Sequence, residues 1–268
     1  MIPIHDSPSR RTTPWVTYAI IAVNLIVFVR MLSLSTDTPA TVGATRQALE
    51  QQTTGDCYGF VTAPAELDRF YCRWSFQPRE FLDVVRDRAA FAGIDRGLVL
   101  VTIVTSIFLH AGWLHIIGNM LFLWVFGDNV EDRLGHVGFL LFYLVGGVIA
   151  SLVQAWVDTS SLVPVVGASG AVAAVLGAYL IYFPGATVTT LIPIPIPIPF
   201  PVPAVIMIGL WFVQNLLAGV ASLSSVEGPD AGIAFFAHVG GFVFGAVAAV
   251  ALLFRHVGER EARGRARG

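Results

Sequence analysis

The sequence predicts an all-α polytopic membrane protein with six transmembrane helices and a long first extracytoplasmic loop. Three observations carry this. Of 268 residues, 55% are hydrophobic and only 13% charged, against about 25% charged in ordinary soluble domains. Mean hydropathy is +0.72, which leaves too little polar material to coat a surface facing water. The charges are also gathered, into the first 11 residues, the span from about 37 to 96, a knot at 128–133 and the last stretch from 255. Long apolar runs lie between them, as helices crossing lipid require.

The bulk numbers also exclude partners. The net charge is −2 with both signs mixed, which gives no signal for nucleic acid, and no nucleic-acid partner is expected. The lipid bilayer is the partner that composition implies. All 16 basic residues are arginine, which says nothing about function. Cys57 and Cys72 both fall in one polar loop. They form a disulfide if that loop is extracytoplasmic and two free thiols otherwise, and the sequence leaves both open.

Residues 1–13 form a short polar N-terminal tail ending in Arg10-Arg11 and polar residues, and the membrane domain covers 14–254. Its first helix runs from about Pro14 to Leu34, long enough to span and with no cleavage site behind it. Residues 35–97 make the long loop, in which Arg79–Ala90 mixes apolar and charged residues as an interfacial helix does. After Leu98 the chain is apolar again, interrupted by Leu109-His110-Ala111-Gly112, so the second span is expected at Trp113–Phe126. A charged loop, Gly127–Gly135, separates it from the third span at Val137–Val157, and the fourth follows at Val165–Phe183. Proline then alternates through Ile192–Pro203, which predicts an extended polyproline-like strut in a cytoplasmic loop. The fifth span is Ala204–Ser222 and the sixth Gly232–Phe254, before a basic tail at 255–268.

Six spans put both termini on one side. Arg10 and Arg11 before the first helix, and Arg255, Arg260, Arg263, Arg265 and Arg267 after the last, make that side cytoplasmic. No internal repeat is visible, which argues against an inverted-repeat transporter.

The chemistry starts at Gly167-Ala168-Ser169-Gly170. A lone serine between glycines in an apolar helix usually packs helices. His238 changes the weighing, because an ionisable residue inside a span marks a functional site by default. Both residues lie near the outer ends of their helices, hence at similar depth. Ala173 and Gly177 follow Ser169 at +4 and +8, and Gly241 and Gly245 follow His238 at +3 and +7. With Gly167 and Gly170 these small residues let the two helices approach closely enough for an Oγ–imidazole hydrogen bond. His115 and Asn119, four apart, share a face of the second helix and supply donors for an oxyanion. No His-Glu-x-x-His occurs and no acid lies in an expected span. No metal and no cofactor is therefore expected, and His238 is expected to work in a serine–histidine dyad rather than a triad.

His110-(x4)-His115-(x3)-Asn119, Gly127-x-x-x-Glu131-x-x-x-Gly135, Gly167-Ala168-Ser169-Gly170 and Ala237-His238-x-x-Gly241-x-x-x-Gly245 together resemble the successive signatures of the rhomboid family of intramembrane serine proteases. The resemblance covers roughly 98–254. It implies a six-helix bundle in which Ser169 is the nucleophile, His238 the general base, and His115 and Asn119 assist at the oxyanion. It also implies single-span membrane proteins as substrates, and a multi-pass protein of the bacterial inner membrane. Two departures stand out. Many members carry a tyrosine four residues after the serine, where this chain has Ala173, so the support of His238 falls to Phe235 or a third-helix side chain. The tryptophan–arginine pair of the first loop occurs only in reverse, as Arg73-Trp74. The alternative is a catalytically silent rhomboid-like protein that binds membrane clients.

Overall fold

The computed structural model describes residues 2–34, 36, 53–54, 57–58, 65–86, 96–161, 163–192, 198–222 and 234–265. The side chains of residues 53–54, 57–58, 192 and 255–265 are outside that description. Strand β1 (Ile2–Asp6) leads into helix α1 (Trp15–Leu32), and two short strands, β2 (Thr53–Thr54) and β3 (Cys57–Tyr58), pair in the first loop. Helices α2 (Glu66–Trp74), α3 (Pro78–Val85) and α4 (Arg96–Thr105) follow, and a 3₁₀ turn (Ser106–Phe108) precedes α5 (Trp113–Leu134) and α6 (His136–Val157). The chain continues through α7 (Ser169–Tyr182), β4 (Thr187–Ile192), β5 (Ile198–Pro203), α8 (Ala204–Ser222) and α9 (Phe235–Arg265).

This is a multi-pass helical membrane architecture. α1, α6, α8 and α9 are each long and apolar enough to cross a bilayer alone, and α4–α5 form a fifth candidate bent by 78°. The remaining expected span, the fourth at Val165–Phe183, is α7, which has only 14 residues. At 1.5 Å per residue it is shorter than the roughly 30 Å apolar layer. It is also the helix the others surround, with every residue from Gly170 to Tyr179 buried, as an all-round apolar helix must be.

α5 corrects the sequence reading. It runs on to Leu134 through the charged stretch expected to be the loop Gly127–Gly135. Its acids have partners on the N-terminal segment: Asp128 takes Arg10 at 3.2 Å, Asp132 takes Thr12 N–H at 2.9 Å, and Glu131 takes Thr17 N–H at 2.7 Å. Glu131 is wholly buried. Its other oxygen accepts Val16 N–H at 2.9 Å. Pro14 at the N-cap of α1 offers no side-chain cap, so a carboxylate from α5 satisfies the open N–H groups of α1 and meets its positive end.

The expected N-terminal tail and proline strut are corrected together. β1, β4 and β5 form a three-stranded antiparallel sheet in the order β1-β4-β5. Opposite Leu191, Thr189 and Thr187 of β4 stand Pro199, Pro201 and Pro203 of β5. Proline every second residue matches the pleat. Ile198, Phe200 and Val202 can donate to β4, and the prolines occupy the positions whose N–H would point outward from the sheet. β5 is the edge strand, where proline is tolerated and blocks further pairing. Residues 193–197 of the strut lie outside the described residues.

The interfacial helix expected at Arg79–Ala90 is α3, which ends at Val85. Cys72 is buried and disulfide-bonded, which decides between the two states the sequence left open; the side chain of Cys57 lies outside the described residues.

Candidate active site

Ser169 is the first residue of α7, rather than one turn inside a helix beginning at Val165. The segment before it is held from three sides. Val165 and Phe76 exchange backbone hydrogen bonds of 2.8 and 3.4 Å, and Arg79 N–H reaches Ser161 O at 3.0 Å, fixing the incoming strand to the first loop. Gly167 N–H donates to Ser106 O at 2.9 Å, and Ala168 N–H to His110 Nε2 at 3.5 Å. Gly167 has φ +122°, and a Cβ there would sit 2.6 Å from the imidazole of His115. Both the backbone angle and the ring exclude any side chain.

α9 brings His238 to this point in its first turn. A Cβ on Gly241 would run into the carbonyl oxygen of Gly170, and one on Gly245 into that of Ala174. The two helices therefore touch backbone to backbone, as small residues at a membrane interface permit. Gly170 itself faces a different neighbour, Ala150 of α6. Ala173 is fully buried and lies 3.4 Å from where a Gly241 Cβ would be, so it belongs to the same close contact.

The contact places His238 Nε2 at 2.7 Å from Ser169 Oγ. The other ring nitrogen, Nδ1, lies 2.5 Å from Asn215 Oδ1 on α8. Asn215 Nδ2 donates to Trp211 O at 2.8 Å, and a carbonyl oxygen only accepts, so the amide is oriented with Oδ1 toward the histidine. Oδ1 also only accepts, which puts the proton on Nδ1 and leaves Nε2 free to accept from the serine hydroxyl. The Trp211 ring lies 5.8 Å from the imidazole at an interplanar angle of 36°. His238 is thus supported from α8, not by Phe235 or a third-helix side chain. The third helix contributes Gln154 instead, whose Oε1 accepts the backbone N–H of Ala237 at 3.3 Å.

His115 and His110 meet edge to face, with ring centroids 5.0 Å apart. The His115 ring also lies against Gly167 of the serine loop. The amide nitrogen of Asn119 donates to the carbonyl of His115 in its own helix at 2.9 Å. The sequence reading missed Asn215 and Trp211. The available signal was a Gln214-Asn215 pair inside an otherwise apolar fifth span, with Trp211 one turn before it.

A cavity of about 350 Å³ lies at the other end of the bundle, lined by Ile4, His5, Asp6, Arg10, Trp124 and Asp128 among others. It touches none of these site residues.

Residues 98–255 match the Rhomboid domain family. Among relatives, Rhomboid-like protein 11, chloroplastic, of Arabidopsis thaliana is 46% identical over 26% of this chain and 24% of its own length. RHOMBOID-like protein 6, mitochondrial, of Arabidopsis thaliana is 30% identical over 63% of this chain and 51% of its own. Rhomboid protease AarA of Providencia stuartii is 30% identical over 55% of this chain and 54% of its own. The chain thus spans about half, or less, of the length of these relatives. With the family match covering more than half of the 268 residues, the chain belongs to the rhomboid family.

Proposed function

We propose that the protein is an intramembrane serine endopeptidase that cleaves single-span membrane proteins in or near their transmembrane segments. The observation that carries this reading is the 2.7 Å contact between Ser169 Oγ and His238 Nε2, with the proton-accepting nitrogen turned toward the hydroxyl. His238 takes the Ser169 proton as Oγ attacks the substrate carbonyl. The protonated imidazole then hands that proton to the leaving amine. The acyl-enzyme is resolved by water, which His238 activates in the same way.

Charge on the tetrahedral oxygen is met by the open N–H groups and positive end of α7, which begins at Ser169 itself. His115, beside Gly167, is the first side-chain donor. Asn119, one turn further along α5, has a second amide hydrogen beyond the one given to His115 O and is the second. A substrate helix hides its carbonyls in its own hydrogen bonds, so the cut segment must unwind, and helix-breaking residues near the scissile bond favour cleavage. We place both termini in the cytoplasm, from the arginines at both ends, and take the bacterial inner membrane as the membrane spanned. The proposed division is an N-terminal segment 1–13 whose strand joins the sheet, a membrane domain 14–254 and a basic C-terminal segment 255–268 into which α9 continues.

One measurement tests the reading. A fluorophosphonate probe is expected to label the wild type and not Ser169→Ala. Absence of Ser169-dependent labelling in folded protein overturns the enzyme reading and leaves the client-binding alternative.

A further inference from the structure

α8 is built to face lipid. Val205, Ile206, Leu210, Val213, Leu217 and Val220 are exposed, and only Ala204, Met207, Ile208, Asn215 and Gly219 are buried. One of those five carries a polar side chain. An amide taken out of water is unfavourable unless it is bonded, and Asn215 offsets that cost through two contacts. Its nitrogen holds Trp211 O at 2.8 Å and its oxygen holds His238 Nδ1 at 2.5 Å.

The first contact fixes the second. With the nitrogen committed to a carbonyl, the oxygen faces the imidazole and selects one of its two neutral tautomers. Without an acceptor on that side, the ring can present an N–H to Ser169 and cease to act as a base. It can also turn about its χ2 bond, since the hydroxyl alone does not fix the ring plane. Trp211, one turn before Asn215, lies against the same ring and restricts that turning.

We propose that Asn215 is a positioning residue for His238, so that α8 supplies the third member of a Ser169–His238–Asn215 relay in which the amide remains neutral. The proposal rests on the endopeptidase reading for its kinetic consequence but not for its structural one.

The test uses the full-length protein in micelles, with wild type, Asn215→Leu, which keeps volume without hydrogen bonding, and Asn215→Asp, which keeps an acceptor oxygen. The ¹⁵N shifts of labelled histidine, assigned by the signal lost in His238→Ala, report the tautomer whether or not the protein cleaves anything. Wild type and Asn215→Asp are expected to hold the proton on Nδ1, and Asn215→Leu to shift it toward Nε2. On a transmembrane reporter, Asn215→Leu is expected to lower kcat about ten- to a hundredfold, a part of the roughly 10²–10⁴ that a positioned base supplies. KM is expected to stay within about twofold, and Asn215→Asp to recover much of the loss. If Asn215→Leu does not fold, Asn215→Gln, which carries the amide one methylene too far, is expected to give the same readings.

An unchanged tautomer overturns the proposal, as does cleavage with unchanged kcat. A wild type that shows the tautomer and loses it in Asn215→Leu, but never cleaves, supports the positioning role while the endopeptidase reading fails.

Discussion

The Tyr179 hydroxyl donates to Asp6 Oδ2 at 2.6 Å, and so ties the far end of the helix that begins at Ser169 to the N-terminal strand. The same oxygen accepts from Asn129 Nδ2 at 2.9 Å. Three elements, β1, α5 and α7, therefore meet on one carboxylate, about 15 Å along α7 from the serine at 1.5 Å per residue.

That carboxylate should make stability depend on pH. Burial, and to a lesser degree the nearby Asp128, raise Asp6 from 3.8 to about 6, against the pull of the Tyr179 hydrogen bond. A carboxyl whose folded value is raised binds its proton more tightly when folded. Its stabilisation is therefore complete below about pH 4 and is lost as pH rises through about 6. Glu80, pushed up to about 7 by burial, acts in the same sense over about pH 4.5–7. Thermal unfolding in micelles is expected to show melting temperature falling across this window. Asp6→Asn and Glu80→Gln should each flatten their part of it, and an unaltered slope in both contradicts the assignment.

Glu131 is the next point of leverage. It accepts from Val16 N–H, Thr17 N–H, Thr17 Oγ1 and His136 Nδ1, at 2.6–2.9 Å. Hydrogen bonds to a charged group contribute about 1.5–3 kcal/mol each. Glu131→Ala is expected to cost at least about 3 kcal/mol in chemical unfolding, with Thr17→Val costing about 1–2 kcal/mol. A cost below about 1 kcal/mol for Glu131→Ala removes this carboxylate as the anchor of α1.

The helix contact beside the dyad makes a sharper contrast. Gly245 has the Ala174 backbone where a Cβ would go, whereas Gly118 has nothing within 4 Å. Gly245→Ala is expected to destabilise by about 1–3 kcal/mol through overpacking. By parting Ser169 from His238 it should also lower reporter cleavage more than tenfold. Gly118→Ala, in an open helical position, should be neutral or stabilising by up to about 1 kcal/mol. Equal effects of the two substitutions on cleavage count against backbone contact as the device that assembles the site.

The alternating prolines of β5 are expected to keep the sheet edge closed. Replacing Pro199 and Pro201 together by threonine returns two outward donors to an edge that also exposes Ile198 and Phe200. Self-association should rise in cross-linking and size-exclusion measurements. An unchanged monomer fraction argues that the prolines serve only to stiffen the chain.

These features differ in how far the sequence announces them. Ser169, His238 and their small-residue stripes are legible because depth and helical spacing are local arithmetic. The extension of α5 past Gly127 is not, because Asp128, Glu131 and Asp132 look like loop residues until Arg10, Thr12 and Thr17 are folded against them. The sheet is hidden for the same reason. Proline every second residue suits both an isolated extended strut and an edge strand, and only the distant partner β4 decides between them. Asn215 gives the weakest signal of all, a single amide in an apolar run, whose meaning lies in a histidine 23 positions away.

The central claim is that Ser169 and His238 act as one catalytic unit. Purified protein in proteoliposomes with a single-span reporter measures this directly. Wild type is expected to release a cleaved reporter fragment. Ser169→Ala and His238→Ala should each abolish release, and the double variant should lose no more than either single one, as residues acting together do. Cleavage at wild-type rate in folded Ser169→Ala or His238→Ala contradicts the claim.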